Sequence, residues 1–145
     1  MGYNTLSSNT IGVQNSAVGV NALSGNVSGD SNVAVGFEAL SANTSGASNI
    51  AVGNSALSSN GTGNYNTAIG QSALWLNSGN SNTAVGYKTL ISNTTGNNNT
   101  SLGYQAGYSV SSGYGNTLVG TNDTTNNTIT TGSGNVGLGY NTFFP

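Results

Sequence analysis

Apolar residues recur in this chain as a short fixed group, which is separated from the next group by Asn, Ser, Thr and Gly. The group reads Ala-Val-Gly-x-x-Ala-Leu, as in residues 34–40 and 51–57. One glycine per group marks the period, because successive intervals are 17 residues six times, 16 once and 19 once. A short and nearly constant period predicts a solenoid, in which each unit is one coil. The coils begin at Gly2, Gly19, Gly36, Gly53, Gly70, Gly86, Gly103, Gly120 and Gly139.

The coils are predicted to be all-β. Helix is disfavoured because every unit contains glycine and a run of Asn, Ser and Thr, which are poor helix formers. About 17 residues at ~3.3 Å per residue suit two short strands joined by two turns. The first strand is the Asn-Thr-Ala-Val-Gly segment, such as residues 82–86, and the second is Gly-x-x-Ala-Leu, such as 70–74. The sequence therefore predicts a single repeat domain over residues 1–145, a β-solenoid or β-roll of about eight to nine coils, with residues 121–145 as irregular C-terminal coils.

The two faces of the first strand differ in size, because side chains alternate between faces along a strand. One face carries Ala and Gly, and the other carries a column of Val, Ile or Leu. If the small face points inward, the core is thin and the larger column faces outward, where exposure forgoes roughly 1.5–3 kcal/mol per side chain. A continuous outward stripe of this kind predicts a partner surface. We name this column the self-association face: Val18, Val35, Val52, Ile69, Val85, Leu102 and Val119.

Two columns of asparagine accompany the strands. Asn tolerates left-handed backbone, hydrogen-bonds its own turn and, when stacked at ~4.8 Å, can join successive coils through its amide. Both columns are therefore interpreted as structural ladders. The column before the first strand contains Asn15, Asn32, Asn49, Asn66, Asn82, Asn99, Asn116 and Asn135. The column in the turn contains Asn9, Asn26, Asn43, Asn60, Asn77, Asn93 and Asn127, with Val110 as the exception.

Composition removes most chemistry from consideration. The charged residues are Asp30, Glu38, Lys88 and Asp123, and the chain contains neither His nor Cys. One cation and a net charge of −2 give no footprint for nucleic acid or an anionic bilayer. No catalytic group, metal site or cofactor site is expected, since four charges spread over distant coils form no constellation. No stretch approaches the ~20 apolar residues of a membrane helix, and the N-terminus MGYNTLSSNT has no pattern of a signal peptide.

One aromatic ridge breaks the polar pattern. The position after the repeat Leu is Ser in four coils and then becomes Trp75, Ile91 and Tyr108, while Tyr87 and Tyr104 are expected to stack in adjacent coils nearby. An exposed aromatic ridge on a polar fibre suits stacking on the sugar rings of a host surface, so these five residues are a candidate ligand ridge. The structural alternative is that the ridge covers the one-residue deletion near Asn77 or packs against a neighbouring chain.

The repeat Asn-[Thr/Val/Ile]-Ala-[Val/Ile]-Gly-x-x-[Ala/Thr]-Leu resembles that of trimeric bacterial surface adhesins with YadA-like heads. It is also similar to the NTAxGxxALxxNTTG repeats of phage tail-fibre-like and bacterial surface proteins. The resemblance extends from Gly2 to about Gly120. It implies a left-handed trimeric β-roll with the small residues inside and the Val/Ile column at the three-fold axis. The chain departs from the pattern where Gly107 and Thr124 replace the Leu and Asp123 replaces the Ala.

The leading functional hypothesis is a non-catalytic fibre segment of a cell-surface adhesin or viral tail fibre, located outside the cell or on a virion. Its expected partners are copies of itself, as a trimer or an end-to-end filament, and a host-surface glycan or receptor. The chain begins within a repeat, as expected of a segment of a longer fibre or of a stacking subunit.

The alternative hypothesis is an ice-binding β-solenoid. Proteins of that kind resemble this chain in being nearly uncharged, rich in Thr and repetitive. An outward rank of Thr67, Thr83, Thr100 and Thr117 lies beside the self-association face. Toward the N-terminus the same positions shift toward larger apolar residues. This shift suits an interchain core better than an ice-binding plane.

Overall fold

The computed structural model of the chain describes residues 2–121 and 129–141. Eight strands of three residues lie within these ranges and form one sheet in sequence order, in which every neighbouring pair is parallel. No residue in the described ranges is helical. The predicted all-β solenoid is therefore confirmed. The strands are β1 (Ser16–Val18), β2 (Val33–Val35), β3 (Ile50–Val52), β4 (Thr67–Ile69), β5 (Thr83–Val85), β6 (Thr100–Leu102), β7 (Thr117–Val119) and β8 (Val136–Leu138).

The strand register does not slip where the repeat length changes. Ala68 pairs with Ala84 across the 16-residue interval, and Leu118 pairs with Gly137 across the 19-residue interval. The change in length is therefore absorbed outside the strands. In the shorter unit the turn itself is shorter, because the Asn77 amide donates to a carbonyl two residues ahead instead of three. The left-handed sense of the coil and its three-fold assembly remain predictions.

The predicted second strand is wrong. The Gly-x-x-Ala-Leu segment forms turns in which two residues per coil are left-handed, such as Glu38 at φ 53° and Leu40 at φ 54°. The segment still bonds to both neighbouring coils: the Glu38 N–H donates to the Val20 carbonyl at 2.9 Å and the Leu40 N–H to that of Ala56 at 3.0 Å. The physical reason is burial. Ala39 and Leu40 are adjacent and both fully buried, which an alternating strand cannot achieve.

The core is a stack of small and medium side chains that are contributed in the same way by each coil. The central strand residue points inward, as Ala34 and Ala51 show, and the Leu of the turn segment packs against it. The inward orientation of the small strand residues agrees with the size argument from the sequence. Left-handed Leu is unfavourable by roughly 1–2 kcal/mol, and full burial of its side chain at about 1.5–3 kcal/mol offsets that cost. The fully buried Leu residues are Leu23, Leu40, Leu57, Leu74 and Leu90.

The asparagine columns run through the interior. The Asn49 backbone N–H and side-chain amide both donate to Asn32 Oδ1, at 3.0 and 3.1 Å, and the amide also donates to the Gly63 carbonyl at 2.8 Å. In the turn column the Asn43 amide donates to Asn26 Oδ1 at 2.7 Å. The Asn49 amide thus joins its own coil to the preceding and the following coil, and the Asn43 amide joins its coil to the preceding one. In the strand column Asn15 is half-buried, and the fully buried members are Asn32, Asn49, Asn66, Asn82, Asn99 and Asn116.

The C-terminal departures from the repeat are partly compensated. Where Gly107 replaces the Leu, a Cβ would lie 2.8 Å from Leu90 Cδ2 and 2.9 Å from Leu118 Cδ1, so Leu118 occupies the space that the missing side chain leaves. Leu118 itself stands where most strands have Ala. The turn ladder ends at Val110, and Asn93 Oδ1 is consequently buried without a hydrogen-bond partner. The departures at Asp123 and Thr124, and the predicted ladder member Asn127, lie outside the described residues.

Candidate functional site

The outward face of the sheet carries two parallel columns, because the central residue is buried in β2 to β8 and half-buried in β1, whereas its two neighbours on each strand are not buried. In β2, for example, Ala34 is fully buried and Val35 is 40% exposed. The parallel register aligns the third strand residues into a continuous column that runs the length of the sheet. This column is the self-association face: Val18, Val35, Ile69 and Leu102 are exposed, and Val52, Val85 and Val119 are half-buried.

The neighbouring column contains the threonine rank. The register pairs Thr67 with Thr83, Thr83 with Thr100 and Thr100 with Thr117, so the four side chains occupy consecutive coils. Thr83 and Thr100 are exposed, and the other two are half-buried. Each Thr is therefore two residues from an apolar member of the self-association face on the same strand.

A third apolar column was missed by the sequence reasoning. The residue directly after the unit glycine is apolar or aromatic in six of the nine coils, and only two of these residues were singled out. Phe37 is 47% exposed and lies two residues beyond Val35, so apolar surface continues past the end of the strand. The signal was present in the glycine-aligned units but is interrupted by three polar coils. The six members are Tyr3, Val20, Phe37, Tyr87, Tyr104 and Tyr140.

The structure brings together part of the candidate ligand ridge. The Tyr87 and Tyr104 rings stack with centroids 5.2 Å apart and an interplanar angle of 17°. The other three members of the ridge lie on successive coils, at the position after the repeat Leu. Trp75 is exposed, and Ile91 and Tyr108 are half-buried. Within the described ranges no ring contact joins Trp75 to the tyrosine pair.

The ammonium group of Lys88 lies over one ring of this tyrosine pair. Lys88 Nζ is 5.3 Å from the centroid of the Tyr87 ring. The Tyr87 side chain raises the pKa of Lys88 above its ordinary value, and this effect outweighs the lowering by burial. Lys88 therefore remains an ammonium at neutral pH. We name Tyr87, Lys88, Tyr104 and Tyr108 the tyrosine–lysine cluster.

A column of Asp and Asn side chains precedes the strands, and the sequence analysis did not identify it. The Asp30 carboxylate accepts the Val13 N–H at 2.8 Å. Asn80 Oδ1 accepts the Asn64 N–H at 2.9 Å, and Asn97 Oδ1 accepts the Asn80 N–H at 2.7 Å. These side chains satisfy backbone donors of the preceding coil, so their role is structural.

No group of three or more potential metal-ligating carboxylate, imidazole or thiol side chains occurs in the part of the chain that the structure describes. Likewise, residues 2–121 and 129–141 contain no helix that is long and apolar enough to cross a membrane.

No protein-family model, curated protein or solved structure matches this chain. The likeness to adhesin-head and tail-fibre repeats consequently rests on the repeat residues themselves.

Proposed function

We propose that the chain is a non-catalytic fibre segment of the cell-surface adhesin or tail-fibre type, which acts outside the cell or on a virion and self-associates through the self-association face. The observation that carries the proposal is the outward column of Val, Ile and Leu, which is aligned over seven strands and only half covered by its own chain. A continuous exposed apolar stripe on a soluble solenoid points to an interface.

The geometry of the column favours a symmetric assembly. A straight column that follows the stacking direction can face the same column of a second and third copy around one axis, so that every copy buries the same residues. Covering the exposed half of one such side chain contributes on the order of 1 kcal/mol. The four exposed members, with smaller contributions from the three half-buried ones, contribute several times that amount, which is of the size needed to offset the entropy of association. The resemblance to adhesin heads supports three copies.

Absolute mass in solution tests the proposal. We expect light scattering after size exclusion to give three times the 14.3 kDa chain mass. Val52→Asp combined with Val85→Asp places two charges in the column, and we expect this variant to elute at the mass of one chain, because each carboxylate would be buried unpaired in the interface.

The matched control adds the same charges away from the sheet face. Thr62→Asp with Thr95→Asp alters two exposed turn residues and should leave the mass unchanged. An unaltered mass in the valine variant, or a monomeric unmodified chain, would refute the interface assignment. Circular dichroism of both variants establishes that the coils remain folded.

A second candidate function, ice binding, is favoured by the threonine rank, whose four members lie on consecutive strands beside an apolar column. If this array binds ice, Thr83→Tyr with Thr100→Tyr should abolish thermal hysteresis, because two bulky rings would disrupt the flat surface. Thr62→Tyr with Thr95→Tyr should retain it. A chain that shows no thermal hysteresis before mutation is not an ice-binding protein.

A further inference from the structure

The tyrosine–lysine cluster combines two features that occur together at one place on this surface. The sequence contains a single Lys and no other cation, and the Lys88 ammonium lies 5.3 Å over the Tyr87 ring. The Tyr87 ring stacks on Tyr104, which is 52% exposed. Because the two parallel rings cover each other, the apolar surface that the pair offers is mainly the exposed Tyr104 ring, with the Lys88 ammonium on the neighbouring coil.

The backbone holds the cluster in place. The Gln105 N–H donates to the Tyr87 carbonyl at 2.8 Å, which fixes the two coils in register at the stack. The Tyr108 N–H donates to the Gln105 carbonyl at 3.0 Å, so the chain turns back immediately after Tyr104. Tyr108, at the end of this turn, is half-buried. Backbone hydrogen bonds thus fix the positions from which the side chains of the cluster extend.

The charge is specific to this coil. Three coils earlier the same two columns hold Phe37 and Glu38, which pair an aromatic ring with an anion. Glu38 has φ 53° and Lys88 has φ 52°, so the two side chains leave equivalent backbone positions. The chain thus contains an internal comparison site with the same aromatic position and the opposite charge.

We propose that the tyrosine–lysine cluster binds a hexuronate, a pyranose sugar that bears a carboxylate, within a host-surface polysaccharide. The all-equatorial ring of a glucuronate presents a flat face of C–H bonds, which packs on an aromatic ring as other apolar surfaces do. Its carboxylate accepts charge-assisted hydrogen bonds from an ammonium. Lys88 supplies that ammonium, and the exposed Tyr104 ring, which is stacked on Tyr87, supplies the aromatic surface. The proposal deepens the adhesive part of the proposed function, on which it rests for its biological setting.

Saturation-transfer NMR with the full chain tests the assignment, using methyl β-glucuronide and, as the uncharged match, methyl β-glucoside. We expect the glucuronide to bind about three- to fivefold more tightly than the glucoside, which is the size expected of one exposed ion pair. Lys88→Gln should remove this preference and leave glucoside binding unchanged. Tyr104→Ala should weaken both sugars by about fivefold or more. Glu38→Gln and Phe37→Ala, at the comparison site, should change neither affinity.

The outcomes separate the site from the assembly. Equal binding of both sugars to the unmodified chain, or a glucuronide preference that persists in Lys88→Gln, overturns the assignment of the carboxylate to Lys88. No binding of either sugar overturns the site altogether. Light scattering on the same samples reports the oligomeric state independently, so a trimer without sugar binding would contradict only this inference. A monomer that binds glucuronide would contradict only the self-association.

Discussion

Replacing Gly53 by alanine is expected to cost about 3–6 kcal/mol of folding free energy or to prevent folding. A Cβ at this position would lie 2.6 Å from the Gly70 carbonyl oxygen and 2.7 Å from its carbon. The backbone there also has φ +136°, which L side chains rarely adopt. Neither coil can move aside, because the Gly53 N–H donates to Val35 and the Gly70 N–H to Val52, both at 2.8 Å.

Gly61→Ala is the matched control in the same coil. No heavy atom lies within 4 Å of a Cβ built on Gly61. The Thr44 N–H bonds to the Gly61 carbonyl at 2.8 Å, and the substitution leaves that contact intact. We therefore expect a change within about 0.5 kcal/mol. Urea unfolding followed by circular dichroism measures both variants, and similar losses in the two would show that stacking distance does not explain the periodic glycine.

The periodic glycine is also the reason that so much of the fold was predictable. A residue without a side chain is needed wherever the backbone of one coil lies against that of the next. Glycine therefore recurs once per coil, and the period of the fold can be read from the sequence. The same argument gave the inward orientation of the small strand residues such as Ala51, because a thin core accepts little else. The local backbone conformation was harder to predict from the sequence. The adjacent buried pair Ala56 and Leu57 was visible in the sequence but was read as a strand, and its left-handed Leu overrides ordinary propensity.

The candidate site was only partly predictable, for a different physical reason. Surface positions tolerate several residue types, so they leave no fixed letter at the repeat period. Asp30, Asn64 and Asn80 each accept a backbone N–H of the preceding coil, but the same column holds Ala47 and Tyr114 in other coils, so the position does not require an acceptor. The meeting of Lys88 with the tyrosine stack depends on side-chain direction, which period alone does not specify. The stack itself was predictable, since neighbours in one column of a solenoid must lie one coil apart.

The second large effect is expected at the buried asparagine ladder. Asn66→Ala should cost about 2–4 kcal/mol, because Asn66 Oδ1 is the acceptor for the buried Asn82 N–H at 3.0 Å. The amide also donates to the Gly79 carbonyl at 2.9 Å and to Asn49 Oδ1 at 3.2 Å. Gly79 keeps a second donor from Asn77, so the orphaned N–H of Asn82 carries most of the loss.

Asn54→Ala is the control for this loss, since the Asn54 side chain is exposed and accepts only from its neighbour Ser55 at 2.9 Å. We expect its unfolding midpoint in urea to remain unchanged, while that of Asn66→Ala falls. Equal midpoints for the two variants would mean that the hydrogen bonds of the asparagine ladder do not stabilise the fold.

Asn66→Asp separates hydrogen bonding from volume, because the two side chains are nearly the same size. An Asp at this fully buried position would keep an acceptor for Asn82 but lose both donated bonds and place a charge in the core. Burial raises the pKa of such a carboxyl in the folded state above its unfolded value of about 3.9. The variant is therefore destabilised increasingly as pH rises above about 4, and recovers below it, where the carboxyl is neutral in both states. Urea midpoints at acid and neutral pH measure this slope, and a midpoint that differs from the unmodified chain by the same amount at both pH values would contradict burial of the ladder.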